Sequence, residues 1–185
     1  MQPITKYTHQ ISSANMIAPE VREAFRLAEE ERPGAVHLEL PEDIASEVTR
    51  RKPLLKSIIR RPIPDEKSIN QAVDLIEKAK RPILVLGGGA NRTSTSKMLL
   101  EFVEKTKIPF ITTQLGKGAL NERHQNFLGC AALTNGDFVH RALEESDQIV
   151  TVGQENFEKP PFIMSEKEGT KVIHIDHIAC LLYTS

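Results

Sequence analysis

An excess of charge of either sign is missing from this sequence. Twenty-four lysines and arginines stand against 25 aspartates and glutamates, a formal net charge of -1. No global field therefore recruits nucleic acid or an anionic membrane. Long apolar runs are also missing, and none approaches the length that spans a bilayer. The opening residues, Met1 to Lys6, contain no apolar signal core. Cysteine is scarce. Cys130 and Cys180 lie far apart, which makes reduced buried thiols the expectation rather than a disulfide framework. There is no internal repeat and no low-complexity segment. There is no G-x-S-x-G, no P-loop and no redox cysteine pair. No nucleophile-and-base arrangement can be read from spacing. His174 and His177 are the one close pair among six histidines, and a strand would turn residues three apart to opposite faces. A shared metal is not expected there. These absences describe a soluble, cytoplasmic chain with no metal site of its own.

What is present is a globular composition, 39% hydrophobic and 26% charged. Residues 19–31 read as a helix, with Pro19 in its first turn and Val21, Ala24, Phe25 and Ala28 on one face. Pro33-Gly34 ends it, and Ala35 to Leu40 reads as a strand closed by Pro41. One helix and one strand make an incomplete αβ segment. Residues 44–64 interleave Arg50, Arg51, Lys52, Lys56, Arg60 and Arg61 with Pro53, Pro62 and Pro64. That composition suits an exposed interdomain linker better than a phosphate-binding patch.

Regular alternation begins at Asp65, a candidate N-cap. Ile69, Ala72, Val73 and Ile76 form a helical stripe. Ile83 to Leu86 is a short apolar strand, followed by a turn at Gly87-Gly88-Gly89. A helix over about 94–106 is expected to bury Met98, Leu99, Phe102 and Val103. A strand follows at Ile108 to Thr112, a helix at Asp137 to Glu145, and strands at Gln148 to Val152 and Lys171 to Asp176. Helices alternating with short apolar strands imply a doubly wound α/β fold with a parallel sheet. The expected divisions are 1–43, a linker at 44–64, a main domain at 65–178 and an atypical tail at 179–185.

Ligands of such sheets bind beyond the carboxyl ends of the strands. The candidate cofactor-binding residues are therefore Gly87, Gly88, Gly89, Thr112, Thr113, Gln114 and Gly153. Glycines allow close backbone approach, and turn N–H groups can hold an anion. Arg92 occupies the place of the third glycine of the dinucleotide fingerprint. Tight scaffold turns are an equal reading of the same glycines.

Longer phrases carry a resemblance. Thr5-Lys6-Tyr7, Arg22 to Ala28 and Arg32 to Asp43 resemble the end of the pyrimidine-binding domain of acetolactate synthase-like enzymes. Ala79 to Gly89 resembles the start of their central domain. Ile108-Pro109, Thr112-Thr113, Gly116-Lys117-Gly118, His124, Leu128-Gly129 and Ser146-Asp147 to Gly153 match in order, over about residues 4 to 178. The resemblance implies an enzyme that uses thiamine diphosphate and magnesium, with the catalytic and metal ligands in domains outside this chain. It implies decarboxylation of pyruvate and carboligation to a second 2-oxo acid, and a homo-oligomer whose cofactor lies between subunits. Some relatives carry structural FAD in the central domain, and in those the strand corresponding to the one ending at Gly153 continues into an Arg-Phe-Asp-Asp-Arg run. Here Gln154-Glu155-Asn156-Phe157-Glu158 follows instead. The chain resembles the flavin-independent, catabolic type, in which Glu155 and Glu158 repel a diphosphate or else point into solvent. A stand-alone FAD-, ADP- or NAD-binding module and a purely structural domain are the alternatives.

Overall fold

The computed structural model describes residues 1–59, 62–131, 138–154, 158 and 171–177, in two compact units, Met1–Pro62 and Ile63–Ser185. In the first unit, β1 (Tyr7–Gln10) pairs in parallel with β2 (Val36–Glu39), Tyr7 opposite Val36 and Gln10 opposite Glu39. The expected lone strand thus has a partner. β1 reads Tyr-Thr-His-Gln, too polar for hydrophobic alternation to reveal it. Helix α1 (Ile17–Glu29) joins the two strands and buries Ala24. Phe25, expected inward, is 60% exposed, because two strands are too narrow to cover the whole apolar stripe. Lys6 Nζ donates to the carbonyls of Leu27 (2.6 Å) and Glu30 (2.8 Å), neutralising the carboxyl end of α1. A single turn, α2 (Glu42–Ala45), follows β2, and residues 48–59 carry no helix or strand.

The second unit holds a five-stranded, all-parallel sheet. Its strands are β3 (Pro82–Leu86), β4 (Phe110–Thr113), β5 (Phe127–Ala131), β6 (Gln148–Val152) and β7 (Lys171–Ile175), in the spatial order β5-β4-β3-β6-β7. Helices α3 (Glu66–Lys78) and α4 (Thr93–Thr106) cover one face, around Leu84, Leu86, Phe110 and Val150. Helix α5 (Phe138–Glu144) covers the other, with Val139 and Leu143 against Ile83, Val85, Ile111 and Ile149. Both faces of β3 and β6 are covered, which explains their unbroken apolar runs.

Asp65 caps α3 as its position suggests: Oδ1 accepts the Ser68 N–H at 2.9 Å and Oδ2 accepts the Ser68 hydroxyl at 2.6 Å. Those bonds hold the Asp65 carboxyl below its ordinary value. The half-buried edge of α3 that packs on the core is Ala72, Leu75 and Ile76. Ile69 and Val73 remain 46% and 45% exposed, so the helix is rotated from the stripe read in the sequence. On α4, Leu99 and Val103 are buried as expected, but Met98 is 62% exposed. Strand β5 has no clear pattern in the sequence, since Phe-Leu-Gly-Cys-Ala interrupts its apolar run with glycine.

Candidate functional site

The chain runs β3, β4, β5 outward on one side and then crosses to β6 and β7 on the other. The topological switch point therefore lies between β3 and β6, where Gly87 and Gly153 leave the sheet. This is where the ligand crevice of such a fold belongs. Four of the seven residues singled out in the sequence, Gly87, Gly88, Gly89 and Gly153, meet here, and Thr113 approaches from the end of β4.

The crevice is filled by the protein's own backbone. The Gly87 N–H donates to the Val152 carbonyl at 2.9 Å, and the Gly89 N–H donates to the Gly153 carbonyl at 2.7 Å. Gly153 has φ 62°, the left-handed region that glycine enters without penalty. A Cβ there would collide with Ala90 N and Gly89 C, and a Cβ on Gly87 would lie 2.5 Å from both Gln154 Cα and Gly153 O. These glycines bring two turns into direct contact.

The third turn amide, that of Gly88, donates at 3.3 Å to Oε2 of Glu158. Oε1 of the same carboxylate accepts the Thr113 hydroxyl at 2.5 Å, and Thr113 Oγ1 in turn accepts the Gly116 N–H at 3.1 Å. Glu158 is 8% exposed, so it does not point into solvent. Glu155 lies outside the described residues. Thr112 faces the opposite side of the sheet, where its buried hydroxyl finds no hydrogen-bond partner. Gln114 is exposed. The sequence named Glu158 only as a departure from a pattern. Its inward direction is set by contacts with residues 45 and 70 positions away, for which no local signal exists.

Two polar anchors hold β6, one towards each of its ends. At the end opposite the crevice, Asp147 accepts the N–H groups of Lys80 and Arg81, each at 2.8 Å, which holds its carboxyl below the ordinary value. Beside Val152, the Thr151 hydroxyl and His174 Nδ1 are hydrogen-bonded at 2.6 Å. Burial holds His174 below its ordinary 6.5, against the opposing charge of Asp176. Among the described residues no group of three or more His, Cys, Asp or Glu is placed to hold a metal ion. A cleft of about 370 Å3, lined by residues including Lys80, Arg81, Lys107, Ile108 and Ser146, lies at the amino ends of the strands. That is the wrong edge for a ligand of this fold.

The fold and the crevice define a doubly wound α/β domain whose strand-end turns are packed on one another. Residues 69–179 match the family model described as the thiamine pyrophosphate enzyme central domain. The chain belongs to the thiamine pyrophosphate enzymes, and these residues are their central domain. The Methanococcus aeolicus protein named a probable acetolactate synthase large subunit is 33% identical over 94% of this chain and 30% of its own length. The acetolactate synthase large subunit of Lactococcus lactis is 34% identical over 82% of this chain and 27% of its own length. 2-Hydroxyacyl-CoA lyase 1 of Dictyostelium discoideum is 36% identical over 65% of this chain and 23% of its own length. A solved structure from Mycobacterium smegmatis, described as a thiamin diphosphate-dependent enzyme, superimposes with a TM-score of 0.77 at 26% identity, over 92% of this chain and 33% of that one. The chain thus spans about a third of the length of the relatives it matches.

Proposed function

We propose that this chain is a portion of an acetolactate synthase, and that its 185 residues contribute scaffold rather than catalytic groups. The observation that carries this reading is the 33% identity to an acetolactate synthase-type large subunit across 94% of the chain. In the intact enzyme the substrate is pyruvate, which is decarboxylated and joined to a second 2-oxo acid. Thiamine diphosphate, held with magnesium by parts of the protein outside this chain, supplies the stabilisation that decarboxylation needs. Residues 1–43 are read as the end of the pyrimidine-binding domain, 44–64 as a linker, 65–178 as the central domain and 179–185 as a tail. The intact enzyme is read as a cytoplasmic homo-oligomer. Among the described residues no helix is long and apolar enough to cross a membrane.

Of the seven candidate cofactor-binding residues, Gly87, Gly88, Gly89, Thr113 and Gly153 stand at the crevice and are the ones a ligand of the central domain would meet, whereas Thr112 faces the other side of the sheet and Gln114 is exposed. FAD does not fit this crevice. All three glycine amides donate to groups of the protein, and a carboxylate stands beside them. The same observation weighs against the stand-alone nucleotide-binding module. A structural role in subunit contacts is compatible with the enzyme reading.

The test uses the full-length enzyme with thiamine diphosphate, magnesium and pyruvate. Acetolactate formation without added FAD supports the proposal. An enzyme that stays inactive until FAD is supplied, and then binds it saturably, defeats the flavin-independent reading.

A further inference from the structure

The carboxylate of Glu158 does what a ligand's phosphoryl group does in other doubly wound domains. It lies beyond the carboxyl ends of the strands, accepts a backbone N–H from the turn after β3, and accepts a hydroxyl from the end of β4. A carboxylate and a phosphoryl oxygen are both strong acceptors that prefer such donors. The protein has placed its own anion at the switch point. We infer that Glu158 is the built-in occupant of this crevice, the residue that excludes nucleotide diphosphates from the central domain.

Several observations favour occupancy over a merely nearby surface acid. Glu158 is 8% exposed. Its two oxygens are divided between two elements, Oε1 on Thr113 at the end of β4 and Oε2 on Gly88 in the turn after β3. Thr113 is oriented for this task, because its Oγ1 accepts the Gly116 N–H and so directs its single proton at Glu158. Space is exhausted as well: an added Cβ on Gly87 would stand 2.7 Å from Glu158 Oε2. The remaining amides, Gly87 and Gly89, already donate to the Val152 and Gly153 carbonyls. A diphosphate arriving here would meet one anion and no uncommitted glycine amide. Exclusion therefore has two parts, displacement of Glu158 from its donors and repulsion between like charges. The proposal does not depend on the reaction assigned to the intact enzyme.

The experiment titrates the 185-residue chain with inorganic diphosphate and with ADP by calorimetry, alongside Glu158→Ala and the double variant Glu158→Ala/Thr113→Val. Wild type is expected to show no saturable binding at millimolar ligand. Glu158→Ala is expected to bind diphosphate at least tenfold more tightly than wild type, and the double variant to lose most of that gain. In parallel, amide hydrogen exchange at Gly88 is followed in wild type and in Thr113→Val, which removes one donor and keeps the carboxylate. The Gly88 amide is expected to be protected in wild type and at least tenfold less protected in Thr113→Val. Saturable binding by wild type, a folded Glu158→Ala with no gain, or an unprotected Gly88 amide each overturns the proposal. Should Glu158→Ala fail to fold, the exchange measurement decides alone.

Discussion

The hydroxyl of Thr113 donates a 2.5 Å hydrogen bond to the carboxylate of Glu158, 45 residues further along the chain. It joins the end of β4 to the segment that follows β6, two elements with β3 between them. Hydrogen bonds to charged, buried acceptors contribute about 1.5–3 kcal/mol. Thr113→Val keeps the shape of the side chain and removes the donor. Urea unfolding of that variant is expected to show a loss of about that size, and no measurable loss would mean that the contact does not stabilise the fold.

Gly153 stands in the left-handed region with its Cα face against Gly89 and Ala90. Gly153→Ala adds roughly 1–2 kcal/mol of backbone strain to a steric collision with two backbone atoms. The expected outcome is a chain that loses its cooperative thermal transition or accumulates as insoluble protein. A Gly153→Ala protein melting within a degree of wild type would show that the turns do not pack as described.

His174 gives stability a pH dependence near neutrality. Burial lowers its folded-state value below the 6.5 of an exposed imidazole. Protons then bind the unfolded chain more readily, so stability is complete above about pH 6.5 and declines as pH falls below it. His174→Gln, which cannot titrate, is expected to flatten the stability profile between pH 5 and 7 in urea titrations. An unchanged slope in that window would assign the dependence to another group.

Proteolysis should find the last stretch of the first unit. Val48, Leu55 and Ile58 are 95%, 90% and 89% exposed, and no helix or strand occupies residues 48–59. The ion pair of Lys56 with Glu29, at 2.7 Å on the surface, adds little rigidity. Trypsin is expected to cut first after Arg50, Arg51 or Lys56, before any site in β3, α4 or β4. Early cuts within 83–112 with an intact 48–59 would contradict this.

Activity offers a separate check. The 185-residue chain alone, given thiamine diphosphate, magnesium and pyruvate, is expected to form no acetolactate above a protein-free control. Product above that control would place catalytic groups within these residues.

Much of the architecture is written in local pattern. The runs Ile83 to Leu86 and Gln148 to Val152 read as strands because burial on both faces requires continuous apolar residues. Asp65 announces α3 because a cap needs only its own side chain and a backbone N–H three residues on. The ordered phrases from Ala79 to Gly89 and from Ser146 to Gly153 carried the family. Tertiary structure alone decided the rest. Tyr7–Gln10 is a strand only because Val36–Glu39 lies beside it, and its side chains give no alternation. Met98 and Val73 are apolar yet exposed, since helix rotation is set by what the sheet offers to pack against. The glycine turn looked open to an anion because sequence shows donors and not their partners. Those partners, the Val152 and Gly153 carbonyls and the Glu158 carboxylate, arrive from more than sixty residues away. A hydrogen bond between distant segments is a property of the folded chain, and only the fold states whether a crevice is vacant or already filled.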